Sequence, residues 1–176
     1  ELAFGEDHLV PGVQRIVWLG SKLHLRVEQS RNEEALEVAQ LIESAGMGDM
    51  IANPAWLPWR SLKAEALDGL DRTDEALEYA RDEVDAARRW GRPKALGRAL
   101  RVEGQLLRRK GMAQLEESVA VLKDSPAILE YGWSLAALGT ALVESPAGEA
   151  LAALLAEADI VCLAPGVPET HRVVLA

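Results

Sequence analysis

The sequence is poor in several residue types, and each scarcity excludes a class of protein. Cys162 is the only cysteine among 176 residues. This excludes a disulfide framework and a zinc site built on several thiolates, and it favours a reducing compartment such as the cytoplasm. No apolar run approaches the ~20 residues of a membrane helix, so we expect no membrane contact. The chain begins with Glu1 and has no signal peptide, which predicts an internal piece of a longer cytoplasmic protein.

Basic residues are also scarce relative to acidic ones. The chain has 19 Lys and Arg against 28 Asp and Glu, which gives a formal net charge of −9. Because nucleic-acid binding depends largely on Lys and Arg contacts to phosphates, this balance argues against direct nucleic-acid binding by this segment. Apolar residues at 49% and charged residues at 27% are typical of a folded protein rather than a disordered one.

Motifs that carry chemistry are absent or weak. The histidines His8, His24 and His171 lie in separate segments, without the His-x-x-x-His spacing of a metal site. Paired acids such as Asp82-Glu83 are expected at helix starts or on solvated helix faces, and not in a catalytic pocket. Gly46-Met47-Gly48 follows a predicted helix, whereas a dinucleotide-binding loop follows a strand. We therefore predict a chain that is not an enzyme and that binds no cofactor and no metal.

The strongest positive pattern is helical, and it repeats. The string Glu-Glu-Ala-Leu-Glu-Val-Ala at residues 33–39 returns as Asp-Glu-Ala-Leu-Glu-Tyr-Ala at residues 74–80. In each copy two alanines stand four residues apart, so they share one face of a helix. Each copy starts with acids, which suit the positive end of a helix dipole. Thr73 is predicted to be the N-cap of the second copy.

Apolar residues at three- and four-residue steps predict further helices around the two copies, the second of which extends to Trp90. They cover residues 13–29, 55–70, 93–109, 112–122, 127–142 and 148–157, with breakers such as Asn53-Pro54 between the pairs. A helical hairpin that recurs about every 34–45 residues is typical of an α-solenoid of tetratricopeptide or related type. Each such hairpin buries its second face only against the next hairpin. We therefore predict an all-α, tetratricopeptide-like domain of helical hairpin repeats over residues 1–157.

The last residues, 158–176, are predicted to form a short irregular or strand-like tail. The run Asp-Ile-Val-Cys-Leu-Ala at residues 159–164 is apolar and β-branched, and Pro165-Gly166 closes it. This pattern is typical of a buried strand, although nothing upstream has the pattern of a pairing partner. The tail is therefore treated as a separate region of the chain.

Three stretches of the sequence together resemble one protein family. They are Asn-Pro-Ala-Trp-Leu-Pro-Trp-Arg-Ser at residues 53–61, Ala-Arg-Arg-Trp-Gly-Arg-Pro-Lys-Ala-Leu-Gly at residues 87–97, and Leu-Glu-Glu-Ser-Val-Ala-Val-Leu at residues 115–122 followed by Ser-Pro-Ala at residues 125–127. Between about Leu23 and Leu142 the chain resembles the helical-repeat region of the large bacterial LuxR-type ATPase regulators, the MalT-like group. In that family an ATPase module precedes the repeats and a DNA-binding helix-turn-helix follows them.

The resemblance implies a protein- or effector-binding module that serves signal sensing and assembly in a transcriptional regulator. Its partners would be another protein, the other modules of its own chain, or a small-molecule effector. The segment itself has neither the Gly-x-x-x-x-Gly-Lys-Ser/Thr string of a phosphate-binding loop nor a basic recognition helix. The ATPase and DNA-binding parts are therefore expected outside this segment.

Two alternatives remain open on the sequence alone. Residues 154–172 resemble a strand and loop of the NAD-dependent D-2-hydroxyacid dehydrogenases, which would make the chain a fragment of an enzyme. That stretch lacks the glycine-rich fingerprint of the dehydrogenase family and its catalytic Arg, Glu and His. The second alternative is a plain tetratricopeptide scaffold without a small-molecule role.

Tryptophans and arginines near helix ends are the candidate binding residues. The candidate ligand- or partner-binding residues are Trp56, Trp59, Arg60, Arg89 and Trp90. Trp56 and Trp59 flank Pro58, and two indoles near a loop are suited to line a groove for a peptide or a small effector. The competing interpretation is that these indoles pack in the core and that the arginines pair with glutamates on solvated faces. Trp133, inside a predicted helix, is expected to pack in the core as well.

Overall fold

The structure is a computed structural model that describes residues 12–45 and 52–149, together with the backbone of residues 160–161 and 174–175. Seven α-helices account for most of this part of the chain. They are α1 Val13–Glu28, α2 Asn32–Glu43, α3 Trp59–Asp68, α4 Thr73–Trp90, α5 Pro93–Leu106, α6 Met112–Leu122 and α7 Ile128–Val143. The 3-10 helix Arg108–Lys110 joins α5 to α6. The all-α prediction is confirmed for these residues.

Two short strands lie in the C-terminal tail. Strand β1, Ile160–Val161, pairs antiparallel with β2, Val174–Leu175. The predicted strand at residues 159–164 therefore has its described part in β1, and its partner lies downstream of it. The described residues contain no parallel sheet, which the dehydrogenase alternative requires. Cys162, Gly46-Met47-Gly48 and most of the predicted helix at residues 148–157 lie outside the described residues.

The repeated alanines lie in the core, as the pattern predicts. Ala35 and Ala39 of α2 and Ala76 and Ala80 of α4 are fully buried. Leucines from the helices around them complete three apolar clusters, which follow one another along the chain. Small side chains at these positions let neighbouring helices approach closely. The core is therefore divided among successive helix pairs and has no single centre.

Each helix packs against the next one along the chain, from α1 to α7, and alternate helices also contact each other in succession: α1 with α3, α3 with α5, and α5 with α7. No comparable contact among the described residues joins α2 to α4 or α4 to α6. The odd-numbered helices therefore share one side of the molecule. In residues 12–45 and 52–149, no helix combines the length and the apolar character that a membrane span needs.

Two helix starts differ from the prediction. Helix α3 begins at Trp59 and not at residue 55, because Asn53 holds the preceding residues in a turn: its backbone carbonyl accepts from the amides of Trp56 and Leu57. At the start of α4, the N-cap is Arg72, and Thr73 is already helical. The Thr73 hydroxyl donates to Asp68 Oδ1 at 2.8 Å instead of capping the helix. This bond ties the end of α3 to the start of α4.

Candidate binding groove

A groove with a volume of about 730 Å³ lies on the side of the molecule that the odd-numbered helices share. All four of these helices contribute side chains to it. The lining residues are His24 and Glu28 of α1, Ser61, Leu62, Glu65 and Asp68 of α3, Arg98, Arg101, Val102, Gln105 and Leu106 of α5, Arg108 of the 3-10 helix, and Trp133 of α7. The groove therefore crosses several successive helices and does not belong to one helix pair.

A buried glutamate holds two of the arginines in this groove. Glu130 is the only charged residue of the otherwise apolar helix α7, and only 2% of its surface is exposed. It accepts hydrogen bonds from Arg98 Nε and Arg101 Nε, both at 3.1 Å. A buried carboxylate requires such partners, because an unpaired charge in the interior is strongly destabilising. The pairing fixes both guanidinium groups in place.

A second ion pair lies where Arg108 follows α5. Arg108 Nη2 lies 2.7 Å from Asp68 Oδ2. The other carboxylate oxygen of Asp68 accepts from Thr73, as described above, so this carboxylate has a partner on both sides. The pair connects the end of α3 to the turn between α5 and α6. It therefore links two parts of the chain that lie 40 residues apart at the groove.

Glu65 adds a carboxylate to the same groove. Burial raises the pKa of Glu65, and the nearby charges of Arg101 and Arg98 oppose that rise. Together with Glu130, this residue balances the two arginines, so the four groups carry no net charge when all are ionised. The groove thus presents both signs of charge to a ligand.

Trp133 gives the groove an apolar contact surface, and its prediction as a core residue is wrong. Its side chain is 53% exposed, and the guanidinium carbon of Arg101 lies 6.0 Å from the centre of its ring. Within the described residues, no helix covers this side of α7. An exposed indole beside paired charges is suited to bind a ligand that has both apolar and polar groups.

The structure places Trp59 in the core, which favours the packing interpretation. Only 3% of its surface is exposed, and its ring meets that of Tyr79 edge to face with 6.3 Å between centroids. The Arg60 guanidinium lies over the Trp59 ring at 4.6 Å, and its Nη1 is 3.5 Å from Glu83 Oε2. Trp59 and Arg60 are therefore in contact with each other and join α3 to α4.

The other candidate residues lie at the surface. Trp56 is exposed and lines a smaller cavity of about 330 Å³ beside α1. Arg89 and Trp90 are exposed at the C-terminal end of α4, so the interpretation that Trp90 packs in the core is wrong. None of the five predicted binding residues lines the groove of the odd-numbered helices.

The burial of Glu83 shows that the prediction of paired acids at helix starts or on solvated faces is wrong for this residue. Its neighbour Asp82 is exposed, but Glu83 is 1% exposed in the contact between α3 and α4. Burial raises the pKa of Glu83 to about 7, although Arg60 lies beside it and acts in the opposite direction. One of its oxygens, Oε1, has no hydrogen-bond partner among the described residues.

Sequence reasoning did not identify the groove residues Arg98, Arg101 and Glu130. A lone acid in an apolar helix was the available signal for Glu130, because such a residue is either a solvent contact or a buried ion-pair partner. Nothing in the sequence connects Glu130 with Arg98, which precedes it by 32 residues. This arrangement depends on how α5 and α7 pack against each other.

The described residues contain no group of three or more His, Cys, Asp and Glu side chains that could hold a metal ion. His24 lies in the groove, where its Nε2 is 3.9 Å from Glu28 Oε1 on an exposed part of α1. Comparison with known proteins assigns no family to the chain. No protein-family model matches it, and searches of curated proteins and of solved structures find no match.

Proposed function

We propose that this chain is a binding module of a LuxR-type bacterial transcriptional regulator, in which tetratricopeptide-like hairpins stack as a solenoid and hold a protein segment or an effector. The observation that supports binding best is the groove to which α1, α3, α5 and α7 all contribute. A ligand in such a groove touches several hairpins at once. It therefore changes how the hairpins are held relative to one another.

The chemistry of the groove favours a peptide segment with both polar and apolar side chains. Arg98 and Arg101, paired with Glu130, and the nearby carboxyl of Glu65 offer donors and acceptors of both signs of charge. The exposed ring of Trp133 offers apolar contact area. In a cytoplasmic regulator, such a segment would come from a partner protein or from another module of the same chain. A ligand with different affinities for two states of the regulator would shift the population between them.

Peptide selection tests the groove directly. The full chain would be used to select from a phage-displayed library of random short peptides, and the dissociation constants of enriched synthetic peptides would be measured by isothermal titration calorimetry. In Gln105→Trp an indole replaces an exposed groove side chain, so we expect binding at least about tenfold weaker. Gln40→Trp adds the same group on the exposed side of α2 and should bind like the wild type. Circular dichroism would confirm that both variants are folded.

Two results would contradict a binding role. If selection enriches no peptide, or if both variants bind equally well, the chain is better described as a plain scaffold. The regulator assignment has a separate test, which is sequencing of the coding region on both sides of this segment. A phosphate-binding loop upstream and a helix-turn-helix downstream are the expected results, and the absence of both would refute the assignment.

A further inference from the structure

A second surface, at the N-terminal ends of α5 and α7, is apolar and open. It encloses a volume of about 650 Å³. We call it the α5–α7 face and define it by Arg92, Pro93, Lys94, Ile128, Leu129 and Trp133. Ile128 is 77% exposed and Leu129 is 74% exposed, although both are large aliphatic residues. Exposed apolar groups that gather in one recess are typical of an interaction site.

The rim of the α5–α7 face is positively charged. Arg92 and Lys94 have no ion-pair partner among the described residues. Glu130, which also lines the recess, is already neutralised by Arg98 and Arg101. No side chain caps the start of α5 and its first turn has no acidic residue, so the positive end of this helix dipole adds to the potential. This local excess of positive charge contrasts with the net charge of −9 for the whole chain.

We propose that the α5–α7 face binds an acidic amphipathic segment of a partner protein. Apolar side chains of that segment would cover Ile128, Leu129 and the exposed ring of Trp133, and its carboxylates would face Arg92 and Lys94. This is the recognition mode in which an amphipathic helix lays its apolar side into a groove. The charged rim sets the register and selects against basic segments.

The charge distribution favours this occupant over two others. A second copy of the chain in a twofold interface would oppose the same face to itself, bringing Arg92 and Lys94 towards their own equivalents. An anionic membrane would be repelled by the net charge of −9, and its flat surface does not fit a recess. Neither objection applies to an acidic segment of a partner protein. The α5–α7 face shares Arg98 and Trp133 with the groove described above. The two surfaces can still be tested separately, because Ile128 and Leu129 line only the α5–α7 face and Gln105 and Arg108 line only the groove.

Fluorescence anisotropy with two designed peptides tests the proposal on the full chain. The first peptide is an amphipathic helix with Leu and Phe on one side and Glu on the other, and the second has Lys in place of every Glu. We expect the acidic peptide to bind at least about tenfold more tightly than the basic one. Its affinity should fall as salt is added, because exposed charges are screened.

Single substitutions locate the binding site. Lys94→Glu should weaken binding of the acidic peptide several-fold and strengthen that of the basic peptide, whereas Arg15→Glu, a charge reversal on the exposed side of α1, should change neither. Leu129→Ser should reduce affinity for the acidic peptide at least about tenfold, since it removes a contact in the recess. Leu135→Ser, at an exposed leucine of α7 outside the recess, is its matched control and should bind like the wild type.

Several results would overturn the proposal. They are equal affinity for the two peptides, no binding of either, and equal effects of Lys94→Glu and Arg15→Glu. A dimer in sedimentation that Leu129→Ser dissociates would show that a second copy covers the face. Binding to phosphatidylserine vesicles without binding to the acidic peptide would identify a membrane site instead. If Gln105→Trp abolishes peptide binding and Leu129→Ser does not, the peptide lies in the groove, and only the groove proposal survives.

Discussion

Glu83 is an acidic residue in the interior of the molecule. It lies in the contact between α3 and α4 with 1% of its surface exposed, and its nearest cation, Arg60, is 3.5 Å away at the edge of hydrogen-bonding distance. Arg98 and the backbone of Ser61 are the other groups that favour its charge. These interactions do not outweigh the loss of solvation, so burial raises the pKa of Glu83 to about 7.

Replacing Glu83 should change how stability depends on pH. A carboxyl whose pKa is higher in the folded than in the unfolded state binds its proton more tightly when folded. The free energy of unfolding therefore falls as the pH rises from the pKa of the unfolded state to that of the folded state. For Glu83 this fall would reach about 3 kcal/mol between about pH 5 and pH 8. We expect the free energy of unfolding of Glu83→Gln to depend less on pH than that of the wild type. Near pH 8 the variant should be the more stable of the two proteins. Urea unfolding followed by circular dichroism at several pH values measures both effects.

Asp82 offers a matched control for this prediction. Asp82→Asn removes a carboxylate that already lies in solvent, one residue along the same helix, so the pH profile should keep the wild-type slope. The prediction fails if Glu83→Gln is less stable than the wild type near pH 8. That result would mean that the ionised pair with Arg60 contributes more to stability than the burial of Glu83 costs.

Glu83 and Trp133 show which side-chain environments can be predicted from the sequence and which cannot. Glu83 follows the buried Ala76 by seven residues and Ala80 by three, so helical periodicity places it on the buried face of α4. Its burial was therefore predictable from spacing. The prediction was wrong because Glu83 was treated together with its acidic neighbour Asp82 as a pair on a solvated face. The exposure of Trp133 was not predictable in this way. It depends on which helices cover α7, and that is a property of the packed chain.

At the scale of elements, α5 packs closely against α6 through glycine. A Cβ atom added to Gly104 would lie 2.7 Å from Leu115 Cγ and 3.0 Å from the carbonyl oxygen of Gly111. Both distances are shorter than normal van der Waals contact. The contact is reinforced where the Ser118 hydroxyl of α6 donates to the Gly97 carbonyl of α5 at 2.7 Å. The pair therefore packs at a separation that a methyl group would increase.

The same substitution should have opposite effects at two glycines. Gly104→Ala should lower the free energy of unfolding by about 1–3 kcal/mol, because the new methyl group overpacks the contact with α6. Gly132→Ala, in α7, meets no atom within 4 Å and should raise stability by up to about 1 kcal/mol through helix propensity. Urea unfolding of both variants gives the comparison. Stabilisation by both substitutions would show that α5 and α6 do not approach closely.

The helices themselves were predictable because their signal is local. Residues 13–29, 112–122 and 127–142 match α1, α6 and α7 to within one residue at each end, since apolar spacing and flanking breakers define them. The starts of α3 and α4 were not predicted correctly. They depend on bonds from Asn53 and Asp68, whose partners are chosen by how the turns pack. Local propensity does not contain that information.

At the scale of the whole molecule, the contacts follow the order of the chain. Each helix contacts its neighbours, and each odd-numbered helix also contacts the next odd-numbered one. No extensive contact among the described residues joins α1 and α2 to α6 and α7. The apolar core is correspondingly divided into clusters. In the stacked-repeat arrangement that we propose, stability would be the sum of hairpin terms and neighbour terms, so one end could lose structure while the other retains it.

Hydrogen exchange of two core variants tests this division. Leu23 of α1 and Leu122 of α6 are both fully buried, and replacing either by Ala should cost about 2–5 kcal/mol. We expect Leu23→Ala to reduce amide protection mainly in α1 and α2, and Leu122→Ala to reduce it mainly in α5 and α6. Leu25→Ala, at a half-exposed leucine of α1, should leave protection nearly unchanged. If Leu23→Ala lowers protection in α6 and α7 as much as in α1 and α2, the chain unfolds as one cooperative unit, and stacking of semi-independent hairpins is refuted.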